Sequence, residues 1–536
     1  MHAVIKIYNI FLRKYPLWLS LIIYWAIVYI LINVGIKKTD SHFIYPLDDT
    51  YIHMAIAKHF VHDGFWGVSM NGFSSTSSSP LWTFIIAIIY KATGIKDGVP
   101  LYLNLFFGSI FVFYCHYIFR NIPNMRQLLY LLLIILLIPL PILTLTGMEH
   151  ILHALITIYI IYSVVNYLTH ETLLFSKIIF TLLIVSTLLL IRYEGIFLLS
   201  GITFLFLVKK RFGIGILTTI VAILPMSIYG LYSMHKGWFF IPNAIIMKGV
   251  ARLAAAESIY SFFINFLIEI SANSYVIVLT TVPILISLLS NKGANTSAHN
   301  YSVFLFVTTF IMHILFARLG WFFRYEAYLI AAGLVLCFDM LESLIPENKS
   351  IKKILTNPAL LSLLILLFLP LITRAERAFK IYPFAVKNCY EQMYQVGLFL
   401  KKFYSGKTVV SPDIGAINYL ADIKLIDLAG LGNAEIIKAK KNRQFDKNFV
   451  KKIAIEKNAQ IVATGKRLFE NCIPDEWIEV GQWHINDNVL AGDSTIYFYA
   501  PHSALTNEIA KNLAIFSKEL PPSVVQSGLY LNLQHN

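Results

Sequence analysis

The chain has 536 residues, 57% of them hydrophobic and only 14% charged, and a formal charge of +14. That much apolar area cannot be hidden in one core, which excludes an ordinary soluble domain. The positive balance does not imply nucleic acid, since no nucleic-acid motif accompanies it; in a membrane chain, lysines and arginines chiefly set orientation and meet anionic headgroups.

In chain order, the first element is the apolar run 17–36, LWLSLIIYWAIVYILINVGI, preceded by Lys6, Arg13 and Lys14. It is longer than the apolar part of a cleaved signal, and no small-residue cleavage pattern follows it. It therefore reads as a retained signal-anchor. Next, Pro46 and Leu47 lead into DDTYIHMAIAKHF (48–60), which sets Asp48 and Asp49 before an amphipathic helix expected at the membrane surface. One aspartate suits the helix N-cap, accepting backbone N–H bonds at the positive end of the dipole, but capping does not need two. The other, at the edge of a water-filled cavity, suits a general base whose pKa partial desolvation and a like-charged neighbour would raise. His53, one turn on, could relay a proton or face lipid headgroups.

In GFSSTSSSPLW (72–82), Ser79 and Pro80 are expected as N-cap and first residue of a helix. The remaining hydroxyls, Ser77 and Ser78 among them, suit a phosphate or sugar. The following LWTFIIAIIY (81–90) is short for a span and is expected to be re-entrant or interfacial. Further spans are expected near 99–119, 127–146, 149–168, 174–191, 195–208, 213–233, 275–290, 301–317, 325–344 and 354–373, giving about 11 to 13 in all. After residue 374 charges become frequent and long apolar runs stop. The chain thus divides into a multi-pass membrane module, 1–374, with a first outer loop at 37–80, and a soluble domain, 375–536. In the latter, strand-like pieces at 408, 423, 460, 477 and 495 alternate with helical stretches, as in a small α/β domain. A helix and a loose end are expected beyond about 503. Cys389 and Cys472 could pair if this domain lies outside.

With residues 1–15 inside, the basic links Arg120 to Arg126, Lys177, Lys209 to Arg211, Lys292 and Lys349 to Lys353 also fall inside. The outer face then collects the Asp48-Asp49 loop, TGMEH (146–150), RYEG (192–195), FIPNAIIMKG (240–249), RLGWFFR (318–324) and the tail domain. Glu149, Arg192 and Glu194 are costly at membrane depth unless they pair or line a cavity. Lys248, Arg318 and Arg324 supply positive charge that could hold a phosphate, or equally lipid headgroups.

Together these motifs resemble the GT-C superfamily of membrane glycosyltransferases that use polyprenyl-phosphate sugars, especially the branch related to the mycobacterial arabinofuranosyltransferases. The residues that carry the resemblance, from about 17 to 435, are Pro46-Leu47 with DDTYIHMAIAKHF and FSSTSSSPLWT, then TGMEH, RYEG, PNAIIMK, GWFFRYEAYL and VVSPDIGAINYLADIKLIDLAGLGN (409–433). The family's usual R-P-E-G reads Arg192-Tyr193-Glu194-Gly195 here, and Asn243 is followed by Ala244 where a threonine is common. The resemblance implies a polytopic α-helical, GT-C-like membrane protein with a C-terminal soluble α/β domain. It implies inverting transfer of a sugar from a polyprenyl-phosphate donor to a hydroxyl of a cell-surface glycan, lipid or protein, at the outer face of the cytoplasmic (inner) membrane. By position the family's essential aspartate is Asp48 or Asp49, with Asp49 preferred as the base; Lys248, Arg324 and Arg192 are the candidates for the donor phosphate, and Glu149, His53, Ser77, Ser78 and Asn243 for contact with substrate. Whether a divalent ion such as magnesium or manganese takes part is left open by two adjacent carboxylates without a clear third ligand. Other classes are a transporter or flippase of lipid-linked sugars, which predicts inverted repeats and broken midplane helices, and a non-catalytic assembly subunit.

Overall fold

The computed structural model describes residues 2–169, 175–247, 264, 267–271, 273–289, 296–344 and 358–534. Its helices in order are α1 His2–Ile36, α2 Asp48–His62, α3 Pro80–Thr93, α4 Val99–Ile118, α5 Asn124–Leu137, α6 Leu140–Leu145 and α7 His150–Thr169. They continue with α8 Phe175–Ile191, α9 Gly195–Val208, α10 Phe212–His235, α11 Tyr275–Leu289, α12 Thr296–Phe316, α13 Ala327–Leu344 and α14 Pro358–Cys389. Among the described residues, five helices are long and apolar enough to cross a membrane, and five further apolar helices are shorter. Large apolar side chains such as Ile22, Phe106, Leu224 and Phe316 stand exposed on them, a surface that suits lipid rather than water. The chain is a multi-pass membrane protein.

The expected span 127–146 is divided. Pro139 has no N–H to continue the ladder, so α5 stops at Leu137 and α6 starts afresh at Leu140.

The chain forms two compact units. The first gathers residues 1–31, 101–227 and 256–380. At its centre the largely buried α7 packs on α8, α9, α12 and α13, while α11 packs on α12 and α13. Polar side chains tie helices where no water competes: Tyr24 and Thr144 share a hydrogen bond of 2.6 Å. Gly108 makes room for that tyrosine, since a Cβ there would lie 2.2 Å from its hydroxyl oxygen.

The second unit gathers residues 32–100, 228–255 and 381–536. A π-helical turn, Tyr390–Tyr394, leads to α15 Gln395–Phe403. Then come β1 Thr408–Ser411, α16 Ala416–Leu420, β2 Lys424–Asp427, α17 Ala434–Lys441, α18 Lys447–Glu456 and β3 Ala459–Thr464. The remaining elements are β4 Ile478–His484, β5 Thr495–Ala500, α19 Thr506–Phe516 and β6 Val525–Gly528. The six strands make one sheet in the order β2-β1-β3-β5-β4-β6, parallel over β2-β1-β3 and antiparallel beyond. One sheet face packs Val410, Ile426 and Val462 against Ile436 of α17 and Val450 and Ile453 of α18. On the other, Trp483 and Phe498 pack on Phe399 of α15 and Phe516 of α19. All five expected strands are present. The end of the chain is not loose as expected: β6 pairs with β4, Gln482 opposite Ser527. Cys389 and Cys472 are both free thiols.

Candidate functional site

The polar residues singled out by the sequence fall into two clusters, one in each unit, and each is described by itself. In the second unit the expected cap of α2 is corrected. Leu47 occupies the N-cap position, and Asp48 and Asp49 are the first two helical residues. Asp48 has another use. Its Oδ2 accepts the N–H of Gly415 at 2.8 Å and its Oδ1 that of Ala416 at 2.7 Å. These N–H groups open α16, directly after β1. In an open α/β sheet with parallel strands in the order 2-1-3, the crevice beyond the strand ends is where a ligand, typically an anion, binds; here the chain's own carboxylate, at the start of α2, sits there.

The contact needs glycine. A Cβ on Gly415 would meet the Asp48 backbone oxygen at 2.0 Å and its Cγ at 2.6 Å. Around it the loop is stitched to the tail by backbone and side chain alike. Lys58 donates to Asp422 (2.8 Å) and to the Tyr419 carbonyl (3.0 Å), Asn71 to the Leu425 carbonyl (2.6 Å), and Thr76 to the Leu431 carbonyl (3.0 Å).

Two further carboxylates face this junction. Asp413 follows β1, and Asp427 ends β2, accepting N–H bonds from Ala429 (2.7 Å) and Gly432 (2.6 Å). Burial, with the Asp48 and Asp427 charges adding to it, pushes Asp413 up to about 7. Burial also raises Asp48, against the pull of its two N–H bonds, to about 6, with the Asp49 charge adding to the rise. Asp427 rises to about 6 from burial, offset by its own N–H bonds. Asp48 and Asp413 therefore share protons near neutrality, because two such neighbours cannot both ionise cheaply.

The other loop candidates are placed as follows. His53 is buried and hydrogen-bonded to Thr83 of α3 at 2.7 Å, so it does not face headgroups. Ser77 bonds the same threonine at 2.9 Å and also accepts the N–H of Ser79. Ser78 is half-buried. Ser79 does sit at the N-cap of α3 with Pro80 behind it, yet its hydroxyl caps nothing. Asn243 is buried and donates to the Leu431 carbonyl at 2.8 Å, while its own N–H reaches Ser75 O at 3.0 Å. Lys248 lies outside the described residues.

In the first unit, Arg192 and Glu149 are both buried. Arg192 donates from Nη1 to Glu149 (2.9 Å) and as a fork, from Nε (3.1 Å) and Nη2 (2.5 Å), to Glu194. The RYEG turn thus keeps its ion pair without the proline common at that position. The guanidinium groups of Arg192 and Arg324 lie 5.7 and 5.1 Å from the Tyr325 ring centroid. Arg324 follows a left-handed turn: Gly320, Trp321, Phe322 and Phe323 have φ of 81°, 35°, 57° and 61°. For three bulky residues that is costly backbone. It is stapled by Glu326, which accepts the Gly320 N–H (2.8 Å), and by Arg374, which donates to the Phe323 carbonyl (2.7 Å) and to Glu326 (2.7 Å).

Sequence reasoning did not single out Asp413, Gly415, Glu326 or Arg374. For the first two the signal was present, a Pro-Asp-x-Gly between a strand and a helix. Among the described residues, no group of three or more His, Cys, Asp and Glu side chains is placed to hold a metal ion.

A family described only as a domain of unknown function, DUF8728, matches residues 382–499. A search of curated proteins gave no match. Among solved structures, ArnT from Cupriavidus metallidurans bound to undecaprenyl phosphate is similar at TM-score 0.52 and 11% identity, over 90% of this chain and 98% of that one. The same protein in the apo state gives 0.51 and 12%, with the same coverage. The oligosaccharyltransferase of Archaeoglobus fulgidus, in complex with Zn and sulfate, gives 0.52 and 11% over 95% of this chain and 75% of that one. The fold is GT-C-like, and at such identities the likeness to these proteins is one of fold alone.

Proposed function

We propose that the chain is an inverting membrane glycosyltransferase that moves a sugar from a polyprenyl-phosphate donor to an acceptor hydroxyl at the outer face of the cytoplasmic membrane. The single observation that carries the reading is the division of labour in the acid pair. Both oxygens of Asp48 are committed to backbone N–H groups of the tail, and Asp49, the next residue, is half-buried in the same helical turn. In this reading Asp48 anchors the loop, and the base is Asp49, the aspartate preferred on the sequence motif. The acceptor oxygen forms its bond to the anomeric carbon, the bond from that carbon to the phosphate oxygen breaks with inversion, Asp49 takes the hydroxyl proton, and polyprenyl phosphate leaves.

Arg324 and Lys248 hold the departing phosphate. Arg192, the third residue offered for the phosphate, and Glu149, offered for the substrate, are paired with each other, so Arg192 is assigned here to holding Glu149 in place. His53, Ser77, Ser78 and Asn243 shape the loop on the substrate side. No step of this scheme is routed through a divalent ion. Membership of the arabinofuranosyltransferase-related branch, with a glycan, lipid or protein acceptor, rests on the sequence motifs. The GT-C fold supports the reaction class.

The test is transfer from a polyprenyl-phosphate sugar by Asp49→Asn and Asp48→Asn. Asp49→Asn is expected to lose about 100-fold or more in turnover at unchanged thermal stability, while Asp48→Asn loses stability as well. Wild-type turnover in Asp49→Asn overturns the base assignment. The tail is expected outside, so a cysteine placed on its exposed face should react with an impermeant thiol reagent in intact cells.

A further inference from the structure

The first unit holds a cavity of about 450 Å³ that the reaction above does not use. It opens between the ends of α4 and α7 and the starts of α8 and α10, the end of these helices that carries Arg120, Lys177 and Lys209 to Arg211. Its lining has three tiers. At the rim stand the exposed cations Arg120 and Lys177. Inside are the half-buried tyrosines Tyr114, Tyr159 and Tyr162, the first two with ring centroids 5.8 Å apart. Beyond them is Asp339 of α13, whose carboxylate accepts the Tyr162 hydroxyl at 3.0 Å.

Asp339 is the anomaly. A carboxylate in an apolar helix is costly unless a cation meets it. Glu342, one turn on, has such a partner in Arg126 at 3.1 Å and also accepts from Tyr130. The other ion-paired cations of this unit, Arg192, Arg374 and Lys380, meet Glu149, Glu194, Glu326 and Glu376, so among the described residues no lysine or arginine pairs with Asp339. Its titratable neighbours are His299 and Glu342. An acid reached through electron-rich rings is a receptor for an ammonium group, and cations at the mouth suit a phosphate.

We propose that this cavity binds the headgroup of a zwitterionic phospholipid with a primary ammonium, phosphatidylethanolamine. The ammonium lies among the tyrosines and is hydrogen-bonded to Asp339; the phosphate is met by Arg120 and Lys177; the acyl chains lie along the exposed apolar helix faces. An anionic lipid without an amine satisfies the rim and leaves Asp339 with only the Tyr162 hydroxyl and the neighbouring His299. The site is independent of the transfer chemistry and does not stand or fall with it.

The test is native mass spectrometry of the full-length protein in detergent, offered equal amounts of phosphatidylethanolamine, phosphatidylglycerol and N-acetyl-phosphatidylethanolamine, which keeps the phosphate and loses the charge. Wild type is expected to retain the first about fivefold over either of the others, the equivalent of one cation–π contact. Asp339→Asn should level the three, and Arg120→Ala with Lys177→Ala should lower all of them. Equal retention of the three lipids by wild type overturns the proposal, as does a preference that survives in Asp339→Asn. Should that variant fail to fold, the comparison of acylated and free amine on wild type decides alone.

Discussion

The two polar clusters solve one problem, keeping carboxylates away from water, in opposite ways. In the first unit Glu149 and Glu194 are met by a formal charge, the Arg192 fork. In the second, Asp48 and Asp427 are met by backbone N–H groups at strand ends, and no lysine or arginine pairs with Asp48, Asp413 or Asp427 among the described ion pairs. A counter-ion fixes the charge state and penalises any change in it. Dipoles hold the group in place and leave its proton negotiable. The arginine cluster is thus built as scaffold, and the aspartate cluster as a place where protons can move.

This contrast can be broken first at the arginine. Arg192→Leu leaves Glu149 buried without its cation, which is expected to cost about 3–5 kcal/mol. The addition of Glu149→Gln should return a good part of it. Thermal unfolding in detergent reads both, and a single variant as stable as wild type would show that the pair does not carry the scaffold. At the aspartate cluster the sharpest cut is Gly415→Ala. With a Cβ only 2.0 Å from the Asp48 backbone oxygen, loop and helix must separate. We expect a loss of about 2–4 kcal/mol, together with transfer activity. Transfer unchanged in Gly415→Ala would mean that the clamp on Asp48 has no bearing on the reaction.

Much of the helical architecture was legible because an apolar run of about 20 residues has few other fates, but the break at Pro139 was missed where 127–146 was read as one span. The aspartate pair was legible as charge placed where the chain otherwise avoids it. What Asp48 binds was not. Its partners are N–H groups 367 and 368 residues away, and a backbone donor leaves no trace in side-chain identity beyond the glycine that lets it approach. Strand β6 escaped for a different reason: Val525, Gln526, Ser527 and Gly528 have no alternation of apolar and polar residues, and only the edge of β4 makes them a strand. The left-handed turn before Arg324 was hidden as well, since tryptophan and two phenylalanines are the last residues one would place at positive φ.

The finest distinction between the clusters is in their response to pH. Asp413, Asp48 and Asp427 all titrate higher in the folded chain than the 3.8 of an ordinary aspartate, at about 7, 6 and 6. Between about pH 4 and 7 the native state therefore holds protons that the unfolded chain has released, and stability must fall as pH rises through that window. The contribution is whole below the ordinary carboxylate range and gone above Asp413's own titration. Asp413→Asn removes the charge that opposes Asp48 while keeping the shape. It is expected to raise stability at about pH 8 by an amount on the order of 1–2 kcal/mol, to raise it by less at about pH 5, and so to flatten the slope. Thermal unfolding of both proteins at the two pH values checks it. A wild-type midpoint that does not fall with pH would show the carboxylates to be ionised without cost, and a slope that Asp413→Asn leaves intact would place its origin elsewhere. Either way, the result reports whether backbone dipoles, with Lys440 the cation felt at Asp427, leave this junction able to trade protons near neutrality.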